Sequence, residues 1–168
     1  MKRQRRPPQP GEFEDPLSNY EPPDYADEFE RALCEQTVEE IDYVPLLKVS
    51  PDTRVVDAMR QMAEHGSACI VVVDELDKPI GIFSERDVLN TVVDRYDQMK
   101  DLPVREVMTV DPYTVYRTDS PAQVLNLMGS GGFRHVPVVN ADGKLIGLIG
   151  ARRITAWLKH YFPNVESA

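Results

Sequence analysis

Shifted by 66 residues, the chain lies on itself: Val49 falls on Val115, Met62 on Met128, Gly66 on Gly132, Ile70 to Val73 on Val136 to Val139, and Ile80-Gly81 on Ile146-Gly147. Lys78 falls on Lys144 in the same frame. Similar elements in the same order twice mean two small units of one design. Neither unit is large enough to bury a comfortable core alone, so each is expected to bury its remaining apolar face against the other.

Within each copy the apolar periodicity gives a short leading strand, a helix, two strands joined by a turn, and a closing helix. Val55, Val56, Met59, Met62 and Ala63 recur at helical spacing behind Thr53, a candidate cap, and Gly66 ends the run. Ala68 to Val73 is a near-continuous apolar strand of the kind covered on both faces. It turns through Asp74 to Lys78 into Pro79 to Phe83. In the second copy Ser120-Pro121 opens a helix with Val124, Leu125 and Met128 on its apolar face, and Gly129 to Gly132 closes it. Val136 to Val139 and Lys144 to Ile149 follow as strands across the turn Asn140-Ala141-Asp142-Gly143, and a last helix begins near Ala151.

Ahead of the repeats, residues 1 to 25 are rich in proline and charge and read as an extended arm. Residues 26 to 41 read as a helix that covers apolar surface, with Phe29, Ala32, Leu33 and Gln36 on one face. The repeats are assigned to 42–98 and 99–162, with a tail at 163–168. The formal charge of -9 is concentrated: residues 12 to 42 hold twelve acids against Arg31 alone, which leaves the body nearly neutral. Such a body can hold a local anion site but lacks the broad, aromatic-laced basic surface of a nucleic-acid binder. Cys34 and Cys69 stand far apart, and His65, His135 and His160 form no ligating cluster, so no metal is expected and a reducing, cytoplasmic setting fits best. No apolar run is long enough to span a membrane.

The two copies differ where chemistry is expected. Gly81-Ile82-Phe83-Ser84-Glu85-Arg86-Asp87 keeps a hydroxyl, a guanidinium and a carboxylate around a helix start; its partner Gly147-Leu148-Ile149-Gly150-Ala151-Arg152-Arg153 has lost the hydroxyl and the carboxylate. A carboxylate can accept from both hydroxyls of a ribose cis-diol, and an arginine cannot. Any nucleotide should therefore bind asymmetrically.

With Phe133-Arg134-His135-Val136-Pro137-Val138-Val139 and the onset segment around Val107-Met108-Thr109, the duplicated motif resembles a tandem pair of cystathionine-beta-synthase-type (CBS) domains, a Bateman module, over roughly residues 42 to 160. The resemblance implies an α/β (α+β) fold: two β-α-β-β-α repeats packed through their sheets with pseudo-twofold symmetry and two clefts between them. It further implies an adenosyl ligand (AMP, ADP, ATP or S-adenosylmethionine), frequent homodimerisation, and sensing rather than catalysis.

On that resemblance Asp87 is the ribose acceptor, although a helix-start aspartate that serves only local stability has the same signature. Ser84 can cap the helix or meet a phosphate, and Arg86 can fork onto phosphate oxygens or stay solvated. Arg134 and His135 can reach phosphate from the other repeat; the alternative is a solvated arginine beside a half-buried strand histidine. Val44, Pro45, Val71 and Ile82 are candidate adenine walls, as easily explained as core residues. Tyr113 and Tyr116 can stack on a base or cover a sheet edge.

The leading functional expectation is a regulatory module with one principal adenosyl cleft, read by a separate effector protein. The competing one is a ligand-free scaffold for protein interaction or dimerisation. No pairing of acid, base and nucleophile in the sequence supports an enzyme.

Overall fold

The computed structural model describes residues 23–43 and 46–162. The assigned tail, most of the assigned arm, and the candidate walls Val44 and Pro45 lie outside the described residues.

Two sheets carry the two repeats. The first has the order β1-β2-β3-β4, with β1 Lys48–Val49, β2 Cys69–Val73, β3 Pro79–Ser84 and β4 Thr109–Val110; the second is β5-β6-β7, with β5 Val115–Tyr116, β6 His135–Val139 and β7 Leu145–Gly150. In both, the short leading strand runs parallel to a largely apolar strand that pairs antiparallel with the next. The turn between the paired strands needs a left-handed residue at the same place twice, supplied by Asp77 (φ 64°) in one and Gly143 (φ 75°) in the other.

Because side chains alternate along a strand, β2 feeds two cores. Ile70 and Val72 join Val55, Ala58, Met62 and Phe83 in the core of the first repeat. Cys69, Val71 and Val73 face the opposite way and pack with Leu145 and Leu148 between the sheets. Burial there pushes the Cys69 thiol up to about 12, helped by the charges of Asp87 and Glu85, so it behaves as a small hydrophobe. The second repeat closes on Val115, Val124, Val136, Val138, Ile149, Ile154 and Trp157.

The repeats also exchange their lead-in segments. Val38 and Glu39 donate backbone hydrogen bonds to Asp119 and Arg117 (2.8 and 3.1 Å), and the equivalent Val104 and Arg105 donate to Thr53 and Pro51 (2.7 and 3.2 Å). Leu148 donates to the Tyr43 carbonyl at 2.7 Å, at the position corresponding to the pairing of Ile82 with Thr109. Residues 38–43 therefore complete the second sheet and residues 104–110 the first. This stitching binds two units that could not close their cores separately.

The helices largely follow the sequence reading, with three differences. The expected helix to Ile41 stops: α1 spans Glu28–Glu35, capped by the Asp27 carboxylate on the Glu30 amide at 2.8 Å, and a 3-10 turn covers Val38–Glu40. Extended backbone at Gln36 and Thr37 separates them, and it frees the Val38 and Glu39 amides for the second sheet. Thr53 does not cap α2 (Val55–Glu64); Arg54 holds that place, and the Thr53 carbonyl receives the Val104 amide. The helix closing the first repeat is broken into α3 Glu85–Asp87, a π turn Val88–Val92, a 3-10 turn Val93–Arg95, and α4 Tyr96–Met99. In the second repeat, α5 Pro121–Gly131 begins at Ser120-Pro121 and ends at left-handed Gly132, and α6 Ala151–Leu158 is a regular helix.

Candidate functional site

The starts of α3 and α6 face one cavity between the repeats, with a volume of about 760 Å³, inside the size range of small-molecule sites. Ser84, Arg86, Asp87 and Ile82 line it from the first repeat, and Arg134 and His135 from the second. Six of the sequence-chosen residues are thus brought together. Val71 is not: its side chain is fully buried against Leu145 and Leu148, because it alternates with the residues of the first core. Tyr113 packs against Phe133 with ring centroids 5.0 Å apart, and Phe133 itself lines the cavity.

Asp87 is held from three directions. One carboxylate oxygen accepts from the Ser84 amide (2.8 Å) and the Ser84 hydroxyl (2.6 Å); the other accepts from the Thr109 hydroxyl at 3.2 Å. The Ser84 amide bond is one half of a capping box on α3, the other half being the Asp87 amide donating to the Ser84 side chain, so local stability is a real part of Asp87's work. A carboxylate offers about four acceptor positions, and both hydroxyl donors can rotate away. Two ribose hydroxyls can therefore be accommodated without breaking the cap's amide bond. The motifs alone do not mark Thr109 as a site residue; the available signal is that the repeat extends upstream, which places it at the equivalent of Tyr43.

His135 lies opposite Gly150 in the β6-β7 register, and a Cβ on Gly150 would stand 3.2 Å from the imidazole Cδ2. The first repeat pairs Cys69 with Ser84 at the same register. The loss of the hydroxyl at 150 and the gain of a ring at 135 thus go together sterically. Burial lowers the His135 pKa, Glu85 across the cavity partly restores it, and Arg134 lowers it further. The ring is neutral near pH 7 and sits beside a permanent cation.

The second-repeat motif is occupied differently, and Arg153 lines the same cavity. Arg153, in the place equivalent to Asp87, pairs with Asp42 at 3.4 Å, and the Tyr43 ring fills the space that a side chain at Gly147 would need. A smaller groove of about 490 Å³, lined by Met59, Met62, Val88 and Leu89 among others, shares Glu85 with the main cavity but has no basic side chain.

The CBS domain profile matches twice, over residues 38–94 and 104–160. The chain belongs to the CBS domain family. This CBS pair is 31% identical over 115 residues to an uncharacterized 17.7 kDa protein of Acidianus ambivalens, covering 68% of each chain. It is 34% identical over 120 residues to an inosine-5'-monophosphate dehydrogenase of Korarchaeum cryptofilum, covering 71% of this chain and only 24% of that enzyme. Among solved structures, the CBS-pair fold superposes on CBSX2 in complex with AMP with a TM-score of 0.64 and 27% identity, over 75% of this chain and 98% of that one. A putative signal-transduction protein with CBS domains from Burkholderia ambifaria gives a TM-score of 0.62 and 32% identity over 74% and 88%. No helix among the described residues is long and apolar enough to cross a membrane.

Proposed function

We propose that this CBS pair is a regulatory module that binds one adenosyl nucleotide in the cavity between its repeats and acts by binding rather than by catalysis. The observation that carries the reading is the convergence on one cavity of Asp87 in α3 and Thr109 in β4 with Arg134 and His135 at the start of β6. In this reading the sugar hydroxyls donate to Asp87, Ile82 contributes an apolar wall, and the phosphate lies toward Arg134 and His135. The AMP complex of CBSX2, a relative of the same fold, supports the ligand class. Because the contacts come from both repeats, a ligand favours the arrangement in which both reach it, and that preference is the signal. A homodimer or a separate effector protein would read it.

Calorimetric titration with AMP, ADP, ATP and S-adenosylmethionine tests this. The wild type should bind at least one of them. Asp87→Ala should weaken that binding by about 10- to 150-fold, the value of hydrogen bonds to a charged acceptor of roughly 1.5–3 kcal/mol. Since Asp87 also caps α3, Asp87→Asn and Thr109→Val separate recognition from folding, with circular dichroism as the control. A folded wild type that binds none of the four would instead make the protein a ligand-free scaffold.

A further inference from the structure

With 28 acidic and 19 basic side chains in the chain, carboxylate partners for arginine are plentiful. Arg31, Arg54, Arg60, Arg105, Arg117 and Arg153 all sit in ion pairs. Arg86, Arg95, Arg134 and Arg152 have no ion-pair partner among the described residues. Arg95 lies on the exposed 3-10 turn beyond α3; Arg86, Arg134 and Arg152 line the cavity between the repeats.

These guanidinium groups are not randomly placed. The Ala151 amide donates to the Arg134 carbonyl at 3.2 Å, which sets Arg134 beside the first turn of α6, where Arg152 follows. That first turn carries no acid, and Gly150 gives it no side-chain cap. The cavity carboxylates, Glu85 and Asp87, both belong to the first repeat. The cavity therefore brings the Asp87 acceptors together with three guanidinium groups that pair with no carboxylate among the described residues.

We propose that Arg134 and Arg152, joined by Arg86 from the first repeat, clamp a chain of phosphates, so that the site takes a nucleoside di- or triphosphate in preference to a monophosphate or S-adenosylmethionine. This rests on the assignment of the sugar to Asp87 and deepens it. The altered motif at 150–153 has then not decayed: it has exchanged a second sugar site for an anion-binding arm of the first. Forked donors suit phosphate oxygens, and the sulfonium of S-adenosylmethionine would meet like charge.

The test uses the full chain with AMP, ADP, ATP and inorganic tripolyphosphate as separate probes. Wild type should bind ATP or ADP at least about tenfold more tightly than AMP, and tripolyphosphate should compete with ATP. Arg152→Ala should weaken ATP and tripolyphosphate by about tenfold while changing AMP by less than about twofold, and Arg152→Lys should recover part of the loss. Equal affinity for AMP and ATP, or equal loss of both in a folded Arg152→Ala, overturns the clamp and leaves the nucleotide reading standing. Tripolyphosphate bound in an Arg152-dependent way without any adenosine ligand supports the clamp and sinks the nucleotide reading. Binding of neither overturns both.

Discussion

The helices that close the two repeats start from equivalent positions and become different objects. After β7, α6 runs regularly, and Trp157 packs with Phe29 and Tyr161 at ring-centroid distances of 6.0 and 5.0 Å. Phe29 also meets Phe162 edge-on at 5.0 Å. After β3 the chain winds through α, π and 3-10 geometry in turn, leaving Leu89 68%, Val93 53% and Tyr96 41% exposed. The residue equivalent to Trp157 is Thr91. The repeat with the anchored helix has the altered motif, and the repeat with the irregular helix keeps Ser84 and Asp87. π turns recur at functional sites because they re-aim side chains at a cost in helix regularity. Here that cost falls beside the cavity, while the aromatic cluster holds the opposite repeat still.

The largest effect should come from removing that anchor. Trp157→Ala should cost about 3–5 kcal/mol by urea unfolding, the range for a buried aromatic, and lower Tm by roughly 10 °C. Thr91→Ala, at the equivalent place in the other repeat, should cost under about 1 kcal/mol. Similar losses at the two positions would mean that the helices are supported alike, and the contrast would fail.

Next come the strand glycines. Gly81 and Gly147 are equivalent, yet a Cβ at Gly81 meets only the flexible Met108 thioether, whereas at Gly147 it meets both the Tyr43 ring and the Tyr43 backbone. Gly147→Ala should cost about 1–3 kcal/mol, the usual range for overpacking, and Gly81→Ala clearly less, because a methionine repacks and a backbone does not. Reversed ranking in denaturant unfolding would show that Tyr43 is the looser of the two covers.

A smaller effect should follow pH. His135 has a pKa lowered by burial and faces Glu85 and Arg134. The unfolded chain therefore takes up this proton first. Stability from the neutral ring is fully present above the unfolded value of about 6.5 and declines as pH falls below it. A bound phosphate acts in the other direction by favouring the charged ring, so affinity for a phosphorylated ligand should rise between pH 7 and 5.5 by no more than about tenfold for each unit of pKa displacement. His135→Gln should flatten that slope in titrations across this range. An unchanged slope would place the phosphate away from the ring.

The sequence exposed the duplication because apolar periodicity, turn residues and terminating glycines are local signals. It also picked out the polar residues Ser84, Arg86, Asp87, Arg134 and His135 of the cavity wall, since they sit at strand ends where the repeat pattern can be counted. What escaped it was set by packing between segments distant in the chain. The exchange of residues 38–43 and 104–110 has no local signature, so Thr53 resembles a cap and Thr109 stands only as part of an onset segment. Val71 could not be told from a cavity wall, because the strand is apolar on both faces and only the second sheet decides which side chains it seals. The break after Asp87 left only a weak trace: Val88, Asn90, Thr91 and Val92 are poor helix formers, which lowers helix propensity without locating a π turn.

The smallest expected effect is the most diagnostic for the altered motif. Two arginines in the first turn of α6 oppose the helix dipole, whereas Glu85 and Asp87 complement it in α3. A charge at a helix end contributes about 0.3–1 kcal/mol, so Arg152→Glu should stabilise the free protein by roughly that amount and raise Tm by about 1–4 °C. The same change should abolish any preference for a polyphosphate tail. Gain in stability together with loss of binding marks a residue kept at a structural cost for a ligand, because a merely solvated arginine would show the first change without the second. If Arg152→Glu instead lowers Tm, the guanidinium is satisfied by the fold itself, and the two helix starts differ less than their sequences suggest.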